Sequence, residues 1–428
     1  MSRHILIALF LITLMFATVS DGIASSRKWA FAFIHLGNSK LIQYSIDSEG
    51  KFTEVAPFGP YADSRIITDP KGRFIYVIDG RSIYWYKVTR NNKLARCGRV
   101  TSKIFGASRG VFDKSGRFLY LVTYDRYDSS IRRMNVRSDG SLAFSNYRKI
   151  SIKEDTVAIA IHPEKPYLYT LHTPNLFKYE YSYIMQFRIN ENGSLTPLKP
   201  RDVHAGSDLA GLAFSHDGRY LYSSQYHYMD IAQFQWKTNG QLKPMGELNY
   251  GIPQELPDFM GRMPCFHGAN IVAAPNGHGL LVSDDEWRAL YSFVIKEDGH
   301  LLYDDMYYTD GSKFVRDSKL WKEAEAHPVP LSEEEKAEGY SSMINKAYYQ
   351  LTANLTTARL TAAGPNGILY SLSHMGVFRF KVKTDGSLQA LGWAIKFPKD
   401  WWDKNAKLKT DGVTLDMYPV NQFTIVSN

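Results

Sequence analysis

Arginines, histidines and carboxylates stand at matching places along this chain. Arg65, Arg109, Asp155, Asp208, His267 and Arg359 each stand just ahead of, or at the start of, an apolar segment. Asp79, Arg81, Asp125, Arg126, His172, His227, Asp284, Asp285, Glu286 and His374 follow aromatic and β-branched runs. Gathered in one place, such a set suits an anionic or hydroxylated ligand. Arg grips carboxylate or phosphate bidentately, and an acid or His moves protons. No closely spaced metal-ligand motif is present, and Asp284, Asp285 and His267 would have to meet in space to form one, so neither metal nor cofactor is expected. Whether these residues meet depends on the elements that carry them.

Those elements repeat. VFDKSGRFLYLVTYDRYDSSIRRMNVRSDGSL, from Val111 to Leu142, has counterparts beginning at Ile66, Ile159, Leu212, Ile271 and Leu360, and a truncated one opens at Lys28. Each copy holds four period-two runs divided by Gly, Pro, Asn and Asp turns, the pattern of strands paired antiparallel in sequence order. Units of ~40 to 50 residues of this kind in series describe a β-propeller. The predicted fold is all-β: a seven-bladed β-propeller of four-stranded antiparallel blades, at about 28–56, 64–100, 107–150, 155–200, 208–248, 268–308 and 357–396. The first copy lacks its innermost strand. A ring leaves no open edge, so the apolar run Gln422 to Val426 is predicted to supply it.

Connections of uneven length then define a functional face. The second-to-third loops and the links between blades lie on one rim, and they hold the long insertions Thr173 to Tyr181, Glu247 to Gly268, Thr309 to Thr356 and Pro398 to Pro419. Loops presented by a rigid scaffold carry function. Ser332-Glu333-Glu334-Glu335 reads as a capping box for a helix to about Gln350, a helical rim insertion within 309–356 that would either cover the channel or pack outside blades six or seven. Trp401-Trp402 is expected to be buried against the rim.

Composition narrows the setting. The 428 residues are 44% hydrophobic with a net charge of +8, and Lys and Arg are scattered among acids, which favours small anionic neighbours over nucleic acid. Residues 1–24 read as a secretory signal, leaving 25–428 as one domain that is secreted or periplasmic. The apolar run is short of the ~20 residues of a membrane span. Two cysteines, Cys97 and Cys265, fall in non-adjacent units and are expected to be buried or partly buried thiols. Asn192-Gly193-Ser194 and Asn354-Leu355-Thr356 match glycosylation sequons.

Asp69-Pro-Lys-Gly-Arg-Phe-Ile-Tyr-Val77, Ser115-Gly-Arg-Phe-Leu-Tyr-Leu121, His216-Asp-Gly-Arg-Tyr-Leu-Tyr222 and the endings Ser138-Asp-Gly-Ser-Leu142, Glu297-Asp-Gly-His-Leu301 and Thr384-Asp-Gly-Ser-Leu388 resemble the seven-bladed lactonase-like propellers with YVTN-type repeats, which include 6-phosphogluconolactonase and carboxy-muconate cyclase. The resemblance implies a lactone-opening hydrolase acting on a small anionic or sugar-derived ligand. The lactonase branch's Gly-Pro-Arg-His and Asp-Leu-Gly-x-Asp type runs are not found; Met263-Pro-Cys-Phe-His-Gly-Ala-Asn270 is the nearest counterpart of the first. For such chemistry His267 is the candidate base, with Asp285 or Glu286 as alternatives, and Arg359 or Arg109 the cation for the oxyanion. Arg65, Asp208, His227 and His374 join Arg109 and Arg359 as candidate binding residues. The competing reading is a secreted binding or scaffold propeller without catalysis, with a protein partner on the insertion-bearing face.

Overall fold

The computed structural model describes residues 30–36, 40–60, 64–89, 93–103, 106–124, 129–145, 149–152, 155–173, 181–207, 209–225, 230–249, 270–284, 289–307, 319–330, 332, 333, 336, 360–364, 367–373, 376–398, 408–410, 413–415 and 420–427. Seven antiparallel sheets form from strands paired in sequence order. Blade two is typical: Arg65–Thr68 innermost, then Phe74–Asp79, Ser82–Val88 and Leu94–Thr101. In blade three the outer position is shared by two short strands, Leu142–Phe144 and Ile150–Ile152, both paired with Ser129–Val136.

The ring closes as the missing-strand argument predicts. Val420–Ser427 pairs antiparallel with Ala30–Leu36, so the C-terminal strand becomes the inner strand of blade one. It touches the inner strands of blades seven and two, and every other inner strand touches its two neighbours in turn. Packing tells the same story. Among the described residues the buried apolar side chains fall into seven clusters, each at one seam between adjacent blades.

A repeated latch crosses these seams. The hydroxyls of Tyr76, Tyr120, Tyr169 and Tyr222 donate to the carbonyls of Gly140, Gly193, Gly240 and Gly299 at 2.6 to 2.9 Å, each in the third-to-fourth turn of the next blade. The aromatic two residues earlier, Phe74, Phe118, Tyr167 or Tyr220, lies flat on that same glycine, where a Cβ would collide with its ring. Thus the repeated aromatic-x-Tyr run and the repeated Asp-Gly or Asn-Gly turn are two halves of one contact. Burial pushes all four Tyr hydroxyls up, which keeps them protonated as donors.

Antiparallel order places every second-to-third connection and every link between blades at the end where the inner strands begin; the short first-to-second and third-to-fourth turns lie at the other end. We call the first end the mouth. Three details differ from the sequence expectation. Cys97 is exposed, because it sits on the outer strand Leu94–Thr101, most of whose residues are exposed; Cys265 lies outside the described residues. A helix spans Lys319–Ala326, ahead of the predicted one, of which only Ser332, Glu333 and Lys336 are described, with Lys336 N–H donating to the Ser332 carbonyl at 3.0 Å. A small hairpin, Leu408–Thr410 with Val413–Leu415, occupies part of the last insertion; Trp401 and Trp402 lie outside the described residues. No helix among those described is long and apolar enough to cross a membrane.

Candidate functional site

The inner strands enclose a channel open to water. Second strands are buried almost throughout, as in Phe74–Asp79, whereas the inner strands of blades two to six, although central, are partly exposed along most of their described length. Their middles are small and apolar: Gly110 and Val111, Val157 to Ala160, Gly211 to Ala213, Val272 and Ala273. Polar side chains collect toward the mouth end, at Arg65, Arg109 and Thr156.

A local irregularity aims these residues. In blade three Ala107 opposes Thr123 but Arg109 opposes Val122, leaving Ser108 as an extra residue. Blades four and five repeat the device near their strand starts, with Val157 and Ala210 as the extra residues. Such β-bulges bend a strand and redirect a side chain, and they are frequent beside active sites. Three lie in succession around one end of the channel.

Arg109 is the side chain so aimed. Its guanidinium contacts the Thr156 carbonyl on the next inner strand at a long 3.5 Å, and no carboxylate among the described residues pairs with it. Burial, reinforced by the positive charge of Arg65 on the preceding inner strand, lowers it to about 10, so it stays protonated at neutral pH. A partly buried cation beside a like charge is unfavourable until an anion joins it.

His172 proves to be a structural support. It lies within Tyr167–Thr173, fully buried and stacked on Tyr183, with Nδ1 3.2 Å from the Thr156 hydroxyl and Nε2 2.7 Å from that of Thr170. Burial lowers it to about 4, so it is neutral at pH 7 and fixes Thr156 without moving protons. The unfolded chain, with an ordinary His near pH ~6.5, takes up a proton that the folded chain refuses until about 4. Stability is therefore full above pH ~6.5 and falls as pH drops, by roughly 3 kcal/mol at pH 4. Urea unfolding at pH 7.5 and 4.5 should show this loss in the wild type and a much smaller one in His172→Gln. Equal losses in both would reject the assignment.

The other predicted residues divide. Asp79 ends a second strand opposite Ser82, Arg81 is exposed in the two-residue turn that follows, and Asp155 and Asp284 are end residues of strands, opposite Thr173 and Ala289. His267, Asp285, Glu286, Arg359, Asp208, His227 and His374, with Asp125 and Arg126, lie outside the described residues. The strands that flank them reach the mouth end. One such entry is firmly held: Leu209, next after Asp208, donates its N–H to Ser182 Oγ at 3.1 Å and accepts from Thr173 Oγ1 at 3.2 Å. Among the described residues no three His, Cys, Asp or Glu side chains come close enough to share a metal. Thr156 and the bulges were not foreseen; the only signal for them is the run of small residues in the inner strands.

Residues 124–300 match the family described as Lactonase, 7-bladed beta-propeller. The chain is a seven-bladed β-propeller similar to that family over this stretch. The match runs from the end of the second strand of blade three into blade six. Similar solved structures include a candidate 6-phosphogluconolactonase of Bacteroides fragilis, with 14% identity and a TM-score of 0.61 over 95% of this chain and 99% of that one. A second is the periplasmic gluconolactonase of Pseudomonas aeruginosa, with 15% identity and 0.59 over 85% and 95%. A third, a candidate 6-phosphogluconolactonase of Bacteroides uniformis, has 13% identity and 0.60 over 93% and 99%. No curated protein matches by sequence. At these identities the shared property of the lactonase-like propeller and its neighbours is the complete ring, and function must be argued from its mouth.

Proposed function

We propose that this lactonase-like propeller is an exported hydrolase that opens a lactone ring of a sugar-derived, anionic ligand at the mouth of its channel. Residues 1–24 serve as the export signal, and 25–428 form one domain whose 309–356 insertion is a helical addition to the rim. Arg109, with Arg65 beside it, holds the ligand's carboxylate or phosphate. His267 takes a proton from water, whose oxygen then adds to the lactone carbonyl; Asp285 or Glu286 is the alternative base. Arg359 or Arg109 stabilises the oxyanion, and collapse expels the ring oxygen, which regains a proton. Asp208, His227 and His374 bind ligand hydroxyls.

The observation that carries this reading is Arg109: a partly buried guanidinium with no carboxylate partner among the described residues, beside a second arginine, on a bulged inner strand. The family match over 124–300 supports the reaction class. The test is turnover of a panel of sugar lactones, neutral and phosphorylated, by wild type and His267→Ala. Hydrolysis that drops by about 10²-fold or more in the variant supports the assignment of the base. Binding of lactones or their hydroxy acids with no turnover anywhere in the panel would replace the hydrolase by a non-catalytic binding propeller.

A further inference from the structure

A cleft at the seam between blades three and four, on the rim opposite the mouth, carries a second feature that the channel chemistry does not use. It encloses about 760 Å³ between the first-to-second turn of blade three and the third-to-fourth turn of blade four, and its walls include Arg117, Phe118, Pro166, Arg188, Asn192 and Ser194. A smaller cavity of about 280 Å³ adjoins it through Ser194, with Arg132, Arg133 and Lys149 on its walls. Over the two together, cations outnumber the carboxylates of Asp113 and Glu191 by five to two.

The repeats themselves show that this is a departure from the pattern. In blade two the turn arginine, Arg73, pairs with its own turn's Asp69 at 2.8 Å, and in blade five Arg219 pairs with Asp217 at 2.5 Å. Arg117 occupies the same place in blade three and makes no such pair. Ser115 stands where blade two has Lys71, and its hydroxyl and N–H both bind the Asp113 carboxylate, whose other oxygen accepts from Phe118 N–H at 2.7 Å. Arg117 instead donates from Nε to the Ser115 hydroxyl at 3.1 Å and reaches across the seam to the Glu191 carbonyl at 3.2 Å, over the face of Phe118. Arg188, exposed on the adjoining strand, forms no ion pair among the described residues.

We infer that this cleft binds an acidic saccharide, its carboxylate or sulfate held by Arg117 and Arg188. Arg117, with only neutral carbonyl and hydroxyl partners, and Arg188, exposed and without an ion pair among the described residues, keep their charge and N–H donors for an oxyanion. Pro166, exposed on the cleft wall, offers an apolar edge to a sugar ring, beside the turn residues Asn192 and Ser194, whose side chains bond each other at 2.7 Å. The volume is that of a site for a ligand of one or a few rings. A plain inorganic anion would use the arginines alone.

Calorimetric titration of the full-length protein with trigalacturonate, maltotriose and inorganic phosphate tests this. Trigalacturonate should bind, maltotriose should not, and phosphate should be weaker by about tenfold or more. Arg117→Gln with Arg188→Gln should weaken trigalacturonate by about tenfold or more while melting within a few degrees of wild type. Ser115→Ala, which frees Asp113 to pair with Arg117, should weaken it as well. Arg109→Gln should leave it unchanged, so that failure here is separable from failure at the mouth. The inference is overturned if trigalacturonate shows no binding at about 10 mM, if phosphate binds as tightly, or if the double variant binds as wild type does.

Discussion

Replacing Arg109 by Gln should move stability and ligand binding in opposite directions. The substitution removes a partly buried charge that lies near Arg65 and has no carboxylate partner among the described residues. Relief of that repulsion and desolvation is expected to stabilise the fold by about 1 kcal/mol, as is common when a strained functional group is removed. The same change takes away the cation for the ligand's acidic group, and should weaken binding of a sugar acid or phosphorylated lactone by about 10- to 100-fold. Thermal melts and titration on the same preparations read the two effects. Were Arg109 merely a structural link to Thr156, the variant would be destabilised and binding would change little, the reverse of both expectations.

Gly240→Ala should be among the most damaging single substitutions in the ring. The glycine has φ +87°, and a Cβ there would stand 2.1 Å from the Tyr167 ring. Overpacking, left-handed strain and displacement of the Tyr169 hydroxyl from the Gly240 carbonyl add to about 3 kcal/mol or more. Gly392→Ala provides the control, since Gly392 has φ +85° but open space around its would-be Cβ. It should cost only about 1 to 2 kcal/mol. Equal losses at the two positions, read by denaturant unfolding, would show that backbone conformation alone sets the value of these glycines and that the aromatic latch contributes nothing.

That latch explains why the fold was legible in the sequence. Tyr76, Tyr120, Tyr169 and Tyr222, and the glycines they reach in the next blade, recur because four seams are closed by the same contact, so the repeat could be counted and the C-terminal strand assigned by closure. The mouth is less legible, for physical reasons. Gly106-Ala107-Ser108 has no strand signature, so Arg109 reads as a residue ahead of a strand when it lies within Gly106–Phe112, past a bulge. His172 follows Tyr169 at a distance that suggests a loop, yet the strand continues to Thr173, and burial with two threonine hydroxyls removes it from acid–base work. Blade-specific differences such as Ser115 for Lys71 are single side chains whose effect lies in which neighbour they displace. A repeat pattern averages these away.

The central claim is that the arginines at the mouth hold the acidic group of a ligand, and a crystal structure with a bound sugar acid such as gluconate addresses it most directly. The account predicts the ligand carboxylate within about 3 Å of the Arg109 guanidinium, on the side of Arg65. A sugar acid seated elsewhere on the molecule, or a mouth in which Arg109 turns from it to a protein carboxylate, would contradict the account.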